Sequence, residues 1–301
     1  MSIIKGKISW VDILNPDKNN LEWLRKEFKF SHLIIDQLKA PSPLSIIQAH
    51  RDYLFLIYYF PIYDTKEKVS RRTEIDFLIT RKGVVTVRYD EIEIFTHLLT
   101  SLKPENKYFE DPLVLVHKLI KSLLQFQNRQ LSHIREKLES ISGELFKDLE
   151  REREKGLLER ISYIKRDISQ YRIIVRPQAH ILNSFFEVGC GFLGSDCRLY
   201  SSDLLGEQMK IMDQLEDYRQ AVEDSETTNL QLINLKNSQV IKTFTIMAFL
   251  TFPMVLFATL FSMNTVDTPI VSQPHGFWIV LGFMLVAVGG MVLYFKKKDW
   301  L

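Results

Sequence analysis

Eight carboxylates lie close together in the chain: Asp203, Glu207, Asp213, Glu216, Asp217, Glu223, Asp224 and Glu226, against only two bases, Lys210 and Arg219. Carboxylates at this density do one of two things. On a single helix they form a solvated face; in a symmetric bundle they make a strongly negative mouth that concentrates cations. Other reactive groups are sparse. Cys190 and Cys197 fit no metal-binding spacing, have only His180 nearby in sequence, and read as ordinary cysteines of a reducing compartment. There is no nucleophile elbow, no His-Glu metal motif and no phosphate-cradling glycine loop, so the chain reads as not an enzyme.

The acids must be positioned by a helix. From about Leu199 to Lys242 the pattern contains no proline and one glycine, Gly206. It then flows into an apolar run, which predicts a helix of about 65 residues, near 100 Å long. Between Lys242 and Lys296 the only formal charge is Asp267, and the only imidazole is His275. Residues 243–263 and 277–295 are each long enough to cross a bilayer. Lys242 precedes the first, Lys296, Lys297 and Lys298 follow the second, and the connection carries no Lys or Arg. The positive-inside rule then places both termini in the cytoplasm and the loop outside, in a multi-pass protein of the cell (inner) membrane. Trp278, Tyr294 and Trp300 sit at interfacial depths, Pro253 predicts a kink in the first span, and Gly282, Gly289 and Gly290 allow close packing of the second. Two isolated spans enclose no pore, so conduction requires several copies.

The body reads as an α+β cytosolic domain without a signal peptide. Its net charge of +2 argues against a nucleic-acid partner. Residues 52–64 and 73–90 carry strand signals, with a hairpin turn at Arg81-Lys82-Gly83. Asn15-Pro16-Asp17 and Ser31 mark helix starts. Two long helical stretches, 113–147 and 149–174, carry nine acids and nine bases between Arg135 and Asp167 and read as a solvated, salt-bridged hairpin. Glycines make 189–195 a break. The expected organisation is 1–195 as α/β domain with helical hairpin (about 113–180), 196–242 as acidic stalk, 243–263 as first span, 264–276 as external loop, 277–295 as second span and 296–301 as basic tail.

The run KTFTIMAFLTFPMVLFATLFSMN, a short loop, a second span and a terminal YFKKKDWL resemble the CorA family of divalent cation channels. Pro253, Tyr218-Arg219 and Arg172 with Arg176-Pro177 fit the same pattern, and the similarity is strongest over roughly the last hundred residues. The family's Gly-Met-Asn stands here as Ser262-Met263-Asn264; a Gly-Ile-Asn branch is associated with zinc. A loop acid is missing at Ile270, with Asp267 nearby, and Ser238 and Thr227 replace polar or acidic stalk residues, while Asp203 is kept.

This resemblance implies a homopentamer in membrane lipid whose first spans line one pore. Five Asn264 amides would ring its outer mouth and hold hydrated Mg2+ through its waters, without a charge that would trap the ion. Met263 and Ser262 complete the filter; Asn264 also suits a helix C-cap. Thr259, Val255, Phe252, Ala248, Phe244, Ile241 and Ser238 recur at helical spacing. Periodicity alone does not separate a pore face from a lipid face; the resemblance makes Phe252, Phe244 and Ile241 a hydrophobic gate. It also implies that cytosolic Mg2+ bridges stalk acids, Asp203 above all, with Asp224 and Glu226 nearby. The expected cargo is Mg2+, with Co2+ or Ni2+. A zinc or other transition-metal transporter, with or without proton coupling and with His275 compatible, is a second reading. A non-conducting membrane-anchored scaffold or sensor is a third.

Overall fold

The computed structural model describes residues 1–64, 66–145, 151–193, 197–263, 270, 275–298 and 300, with the backbone alone at 151–155. The chain divides into two compact units, Met1–Glu226 and Thr227–Leu301. This division falls inside the predicted stalk rather than at its ends.

The first unit is built on a six-stranded sheet of order β1-β2-β6-β5-β4-β3. Its strands are β1 (Ser2–Lys5), β2 (Ser9–Leu14), β3 (Ile47–Ala49), β4 (Tyr53–Asp64), β5 (Val69–Thr80) and β6 (Gly83–Arg88). Only the β2–β6 pair is parallel. The hairpin expected at Arg81-Lys82-Gly83 joins β5 to β6, with Thr80 opposite Gly83. A Cβ at Gly83 would lie 2.2 Å from the Ser9 carbonyl oxygen, so only glycine lets β6 start this close to β2. The parallel pair is pinned by a buried relay. Trp10 Nε1 donates to Thr86 Oγ1, Thr86 donates to Asp12 Oδ1 at 2.7 Å, and Arg88 Nη2 pairs with Asp12 Oδ2 at 3.0 Å.

Helices cover both faces. On one lie α1 (Lys18–Phe28) and α2 (His32–Gln37), packed on Val11, Ile13, Phe55, Ile57, Leu78, Val85 and Val87. Asp17 and Ser31 cap them, accepting the Asn20 and Ile34 amides as their positions predict. On the other face lie α3 (Glu93–Ser101), α4 (Pro112–Gln130), α5 (Ser132–Leu145), α6 (Arg151–Val175) and α7 (Gln178–Leu193). The single stretch expected over 113–147 is broken at Leu131, whose amide turns to the Asn128 carbonyl. Part of the break expected at 189–195 is helical: Gly189 and Gly191 lie inside α7, where Gly189 is buried and a Cβ added to it would meet Leu54 and Phe185 at ordinary van der Waals distance, while Gly194 and Ser195 lie outside the described residues. Tertiary packing there outweighs glycine's poor helix propensity. Cys190 and Cys197, read as ordinary cysteines, are joined in a disulfide with Cα atoms 5.6 Å apart.

From Arg198 the chain forms α8 (Arg198–Ser262), which continues through Pro253, and after the connection α9 (Gly276–Lys297). Both are long and apolar enough to cross a membrane.

Candidate functional site

Bases are few within the acidic segment itself. The structure supplies cations from other helices. Asp203 accepts Lys121 Nζ at 2.8 and 2.7 Å and lies 2.7 Å from His117 Nε2. Lys121 and His117 are four residues apart on α4, a spacing that puts both on one face and was the one available signal of the contact. Burial pushes the Asp203 carboxyl up, but the Lys121 and His117 hydrogen bonds outweigh it and hold the group below the usual carboxylate range. Burial also lowers the His117 imidazole, against the opposing pull of Asp203. Further along, Glu216 pairs with Arg219 at 2.6 Å and with Arg172 of α6 at 3.2 Å, and Glu223 pairs with Arg219 at 2.5 Å. Glu226 pairs with Lys165 of α6 at 2.6 Å, while Asp224 accepts the Gln220 amide at 2.9 Å. The three acids expected to bind regulatory metal, Asp203, Asp224 and Glu226, therefore have separate partners within one chain. Among the described residues no group of three or more His, Cys, Asp or Glu is arranged to hold a metal ion.

In the second unit, α8 and α9 form the membrane hairpin. Phe249 meets Phe295 edge-on, and Phe295 stacks on Trp300. Lys242 lies over the Trp300 ring and Lys298 over Tyr294, so basic and aromatic side chains gather at the end assigned to the cytoplasm. Within the span, Ile246 and Pro253 are buried. At 3.6 residues per turn, Ile241, Phe244, Ala248, Phe252, Val255 and Thr259 centre roughly 150° away from them. All six are exposed, Phe244 at 67% and Phe252 at 63%. Ser238 is exposed but falls outside this stripe. Apart from Ser238, the gate and pore residues expected from the sequence thus share the face turned from the hairpin's own packing.

The outer end of α8 clarifies the serine that replaces glycine. Thr259 Oγ1 donates to the Val255 carbonyl at 2.9 Å, and Ser262 Oγ donates to the Thr259 carbonyl at 2.9 Å. The Ser262 hydroxyl serves a carbonyl of the last turn, where the backbone lacks partners, while the Thr259 hydroxyl bonds back into the regular ladder. Ser262 is helical and does not have the left-handed φ that would require glycine. Met263 follows, exposed. Asn264 and Asp267 lie outside the described residues.

The CorA-like Mg2+ transporter protein family model matches residues 5–297. The cobalt/magnesium transport protein CorA of Methanocaldococcus jannaschii is 20% identical over 98% of this chain and 92% of that protein. Its counterpart from Thermotoga maritima is 22% identical over 97% and 83%. In fold, the complete CorA magnesium transporter of M. jannaschii superposes with a TM-score of 0.84 at 19% identity, covering 100% of this chain and 94% of that one. The full-length CmaX protein gives 0.71 at 16% identity, covering 100% and 91%. The chain belongs to the CorA-like Mg2+ transporter family, whose members are multi-pass membrane proteins with a cytoplasmic body and are not enzymes.

Proposed function

We propose that this chain is a divalent cation channel that admits Mg2+, and Co2+ or Ni2+, to the cytosol down the electrochemical gradient. The observation that carries the proposal is the stripe Ile241, Phe244, Ala248, Phe252, Val255 and Thr259, left exposed by the hairpin and running toward Ser262-Met263-Asn264. In a ring of copies, five by likeness to the family, that stripe would line a common axis. A neutral amide ring from Asn264 would select hydrated ions at the outer end, and the bulky rings of Phe252 and Phe244, with Ile241, would close the pore by dewetting. A divalent ion crossing 100 mV gains about 4.6 kcal/mol, so no nucleotide is needed.

Closure by cytosolic Mg2+ is the regulatory part of the proposal. The chain's own geometry constrains it. A metal at Asp203 competes with Lys121, and one at Glu226 competes with Lys165. The internal cations would weaken metal sensing at both positions.

The test is flux into liposomes of Mg2+, Co2+, Ni2+ and Zn2+, with and without a pH gradient. Mg2+ entry without a pH gradient supports the proposal. Entry of Zn2+ alone, or entry that requires the gradient, replaces it with the transition-metal reading. Absence of flux for every ion leaves a non-conducting scaffold.

A further inference from the structure

Two carboxyl groups of β5 play no part in the pore. Glu74 and Asp76 are two residues apart and so point to the same face of the sheet, the one covered by α1 and α2. Both are buried, at 3% and 1% exposure. Each is half satisfied. Glu74 Oε2 accepts the Ser42 amide at 2.7 Å, and Asp76 Oδ2 accepts the Tyr89 hydroxyl at 2.9 Å. The remaining oxygens, Glu74 Oε1 and Asp76 Oδ1, are buried with no donor among the described residues, and the two carboxyls occupy successive positions on one face of β5. Two ionised carboxylates cannot bond one another, and two buried like charges at this range are costly.

The groups that face the pair are few. Arg72 of β5 is a cation whose charge acts on Glu74, but its guanidinium lies 4.3 Å over the Tyr59 ring and donates to the Pro43 carbonyl at 3.3 Å. Tyr59 of β4 and Tyr89 are the other titratable neighbours, and burial raises both phenols, so they stay neutral. Among the described residues, no charged side chain of α1 or α2 hydrogen-bonds or ion-pairs with either carboxyl. The same neighbours hold one loop. Glu74 takes the Ser42 amide, Tyr59 donates to the Ser42 carbonyl at 2.9 Å, and Arg72 reaches Pro43.

We propose that Glu74 and Asp76 are a proton-binding site: they share one proton, and that proton latches the Ser42–Pro43 loop onto the sheet. One proton from water joins Asp76 Oδ1, which then donates to Glu74 Oε1, and the pair goes from two negative charges to one. A proton fits where a metal does not, since no third carboxyl, His or Cys joins the pair in a metal-holding group among the described residues.

The electrostatics agree with the geometry. Burial first, and then the charge of Glu74, push the Asp76 carboxyl well above the usual range. Burial also raises Glu74, against the hydrogen bonds from Asp76 and Ser42 and the charge of Arg72. A folded carboxyl raised above its unfolded value contributes stability at low pH and loses it as pH rises through the folded value.

The test uses the full chain in detergent, with thermal midpoints measured from pH 5 to pH 9 for wild type, Asp76→Asn and Glu74→Gln. Either amide can take the place of the shared proton without titrating. Both variants should gain on wild type as pH rises, by about 3 °C or more at the alkaline end. Infrared spectra of wild type at neutral pH should show the carbonyl stretch of a protonated carboxylic acid, lost in Asp76→Asn. This readout on wild type keeps the test valid if a variant fails to fold. Absence of the band, or a variant-to-wild-type difference that does not change with pH, overturns the proposal. So does loss of the band on adding Mg2+ with a rise in the wild-type midpoint, which would mean that a metal occupies the pair.

Discussion

The stalk acids and the membrane stripe are both features that sequence reading singled out, and the structure treats them in opposite ways. In the first unit Asp203, Glu216, Glu223 and Glu226 each find a cation within the same chain. In the second unit Phe244, Phe252, Val255 and Thr259 stay exposed. These four stalk acids find cations within one copy, whereas the membrane face is left for lipid or for other copies. Substitutions in the first unit should therefore act on stability, and substitutions on the stripe should act on transport.

The largest stability effect should come from Asp12→Ala. It leaves Arg88, 5% exposed, as a buried charge without its carboxylate. Removing one partner of a buried pair costs about 3–5 kcal/mol. Chemical denaturation should show that loss in the body, and a loss below 1 kcal/mol would break the comparison from the side of the first unit. Next is Phe252→Ala, which removes an exposed ring from the stripe. Mg2+ flux at high internal Mg2+ should rise several-fold with the thermal midpoint nearly unchanged. A lowered midpoint with unchanged flux would assign the ring to packing.

The smallest effect should be Lys121→Met. The pair with Asp203 is about one-third exposed, so its loss should cost below about 1 kcal/mol. The same variant should make flux more sensitive to internal Mg2+, because the competing ammonium is gone. Its pH dependence has a definite sign. The Asp203 carboxyl is depressed, so the pair contributes at neutral pH and the contribution is lost as pH falls through the folded value. The stability gap between wild type and Lys121→Met should close in acid; a gap that widens there would contradict the assignment.

Much of the fold was legible because its signals are local. Asp17 and Ser31 cap helices through bonds three residues away, and β4 and β6 are largely apolar runs. The two spans stand out by length and lack of charge. Other features depend on distant partners. β2 contains Asp12, which looks misplaced in a strand until Arg88, 76 positions on, is brought beside it. β1 is a four-residue edge strand with mostly exposed side chains and gives no alternation to read. The partners of the acidic stalk are hidden for the same reason: Lys121, Lys165 and Arg172 reach it only after α4 and α6 pack. At the candidate pore, periodicity found the stripe but did not choose between a pore face and a lipid face; the structure adds that the buried positions of the span, Ile246 and Pro253, lie on the other side of α8.

In the proposed channel, Asn264, two residues beyond the end of α8 in the sequence, supplies a neutral filter to hydrated cations. Asn264→Ala tests it most directly, by Mg2+ flux into liposomes containing equal amounts of folded wild-type or variant protein. The account predicts at least a tenfold loss of flux with an unchanged thermal midpoint, whereas wild-type flux through the variant would contradict it.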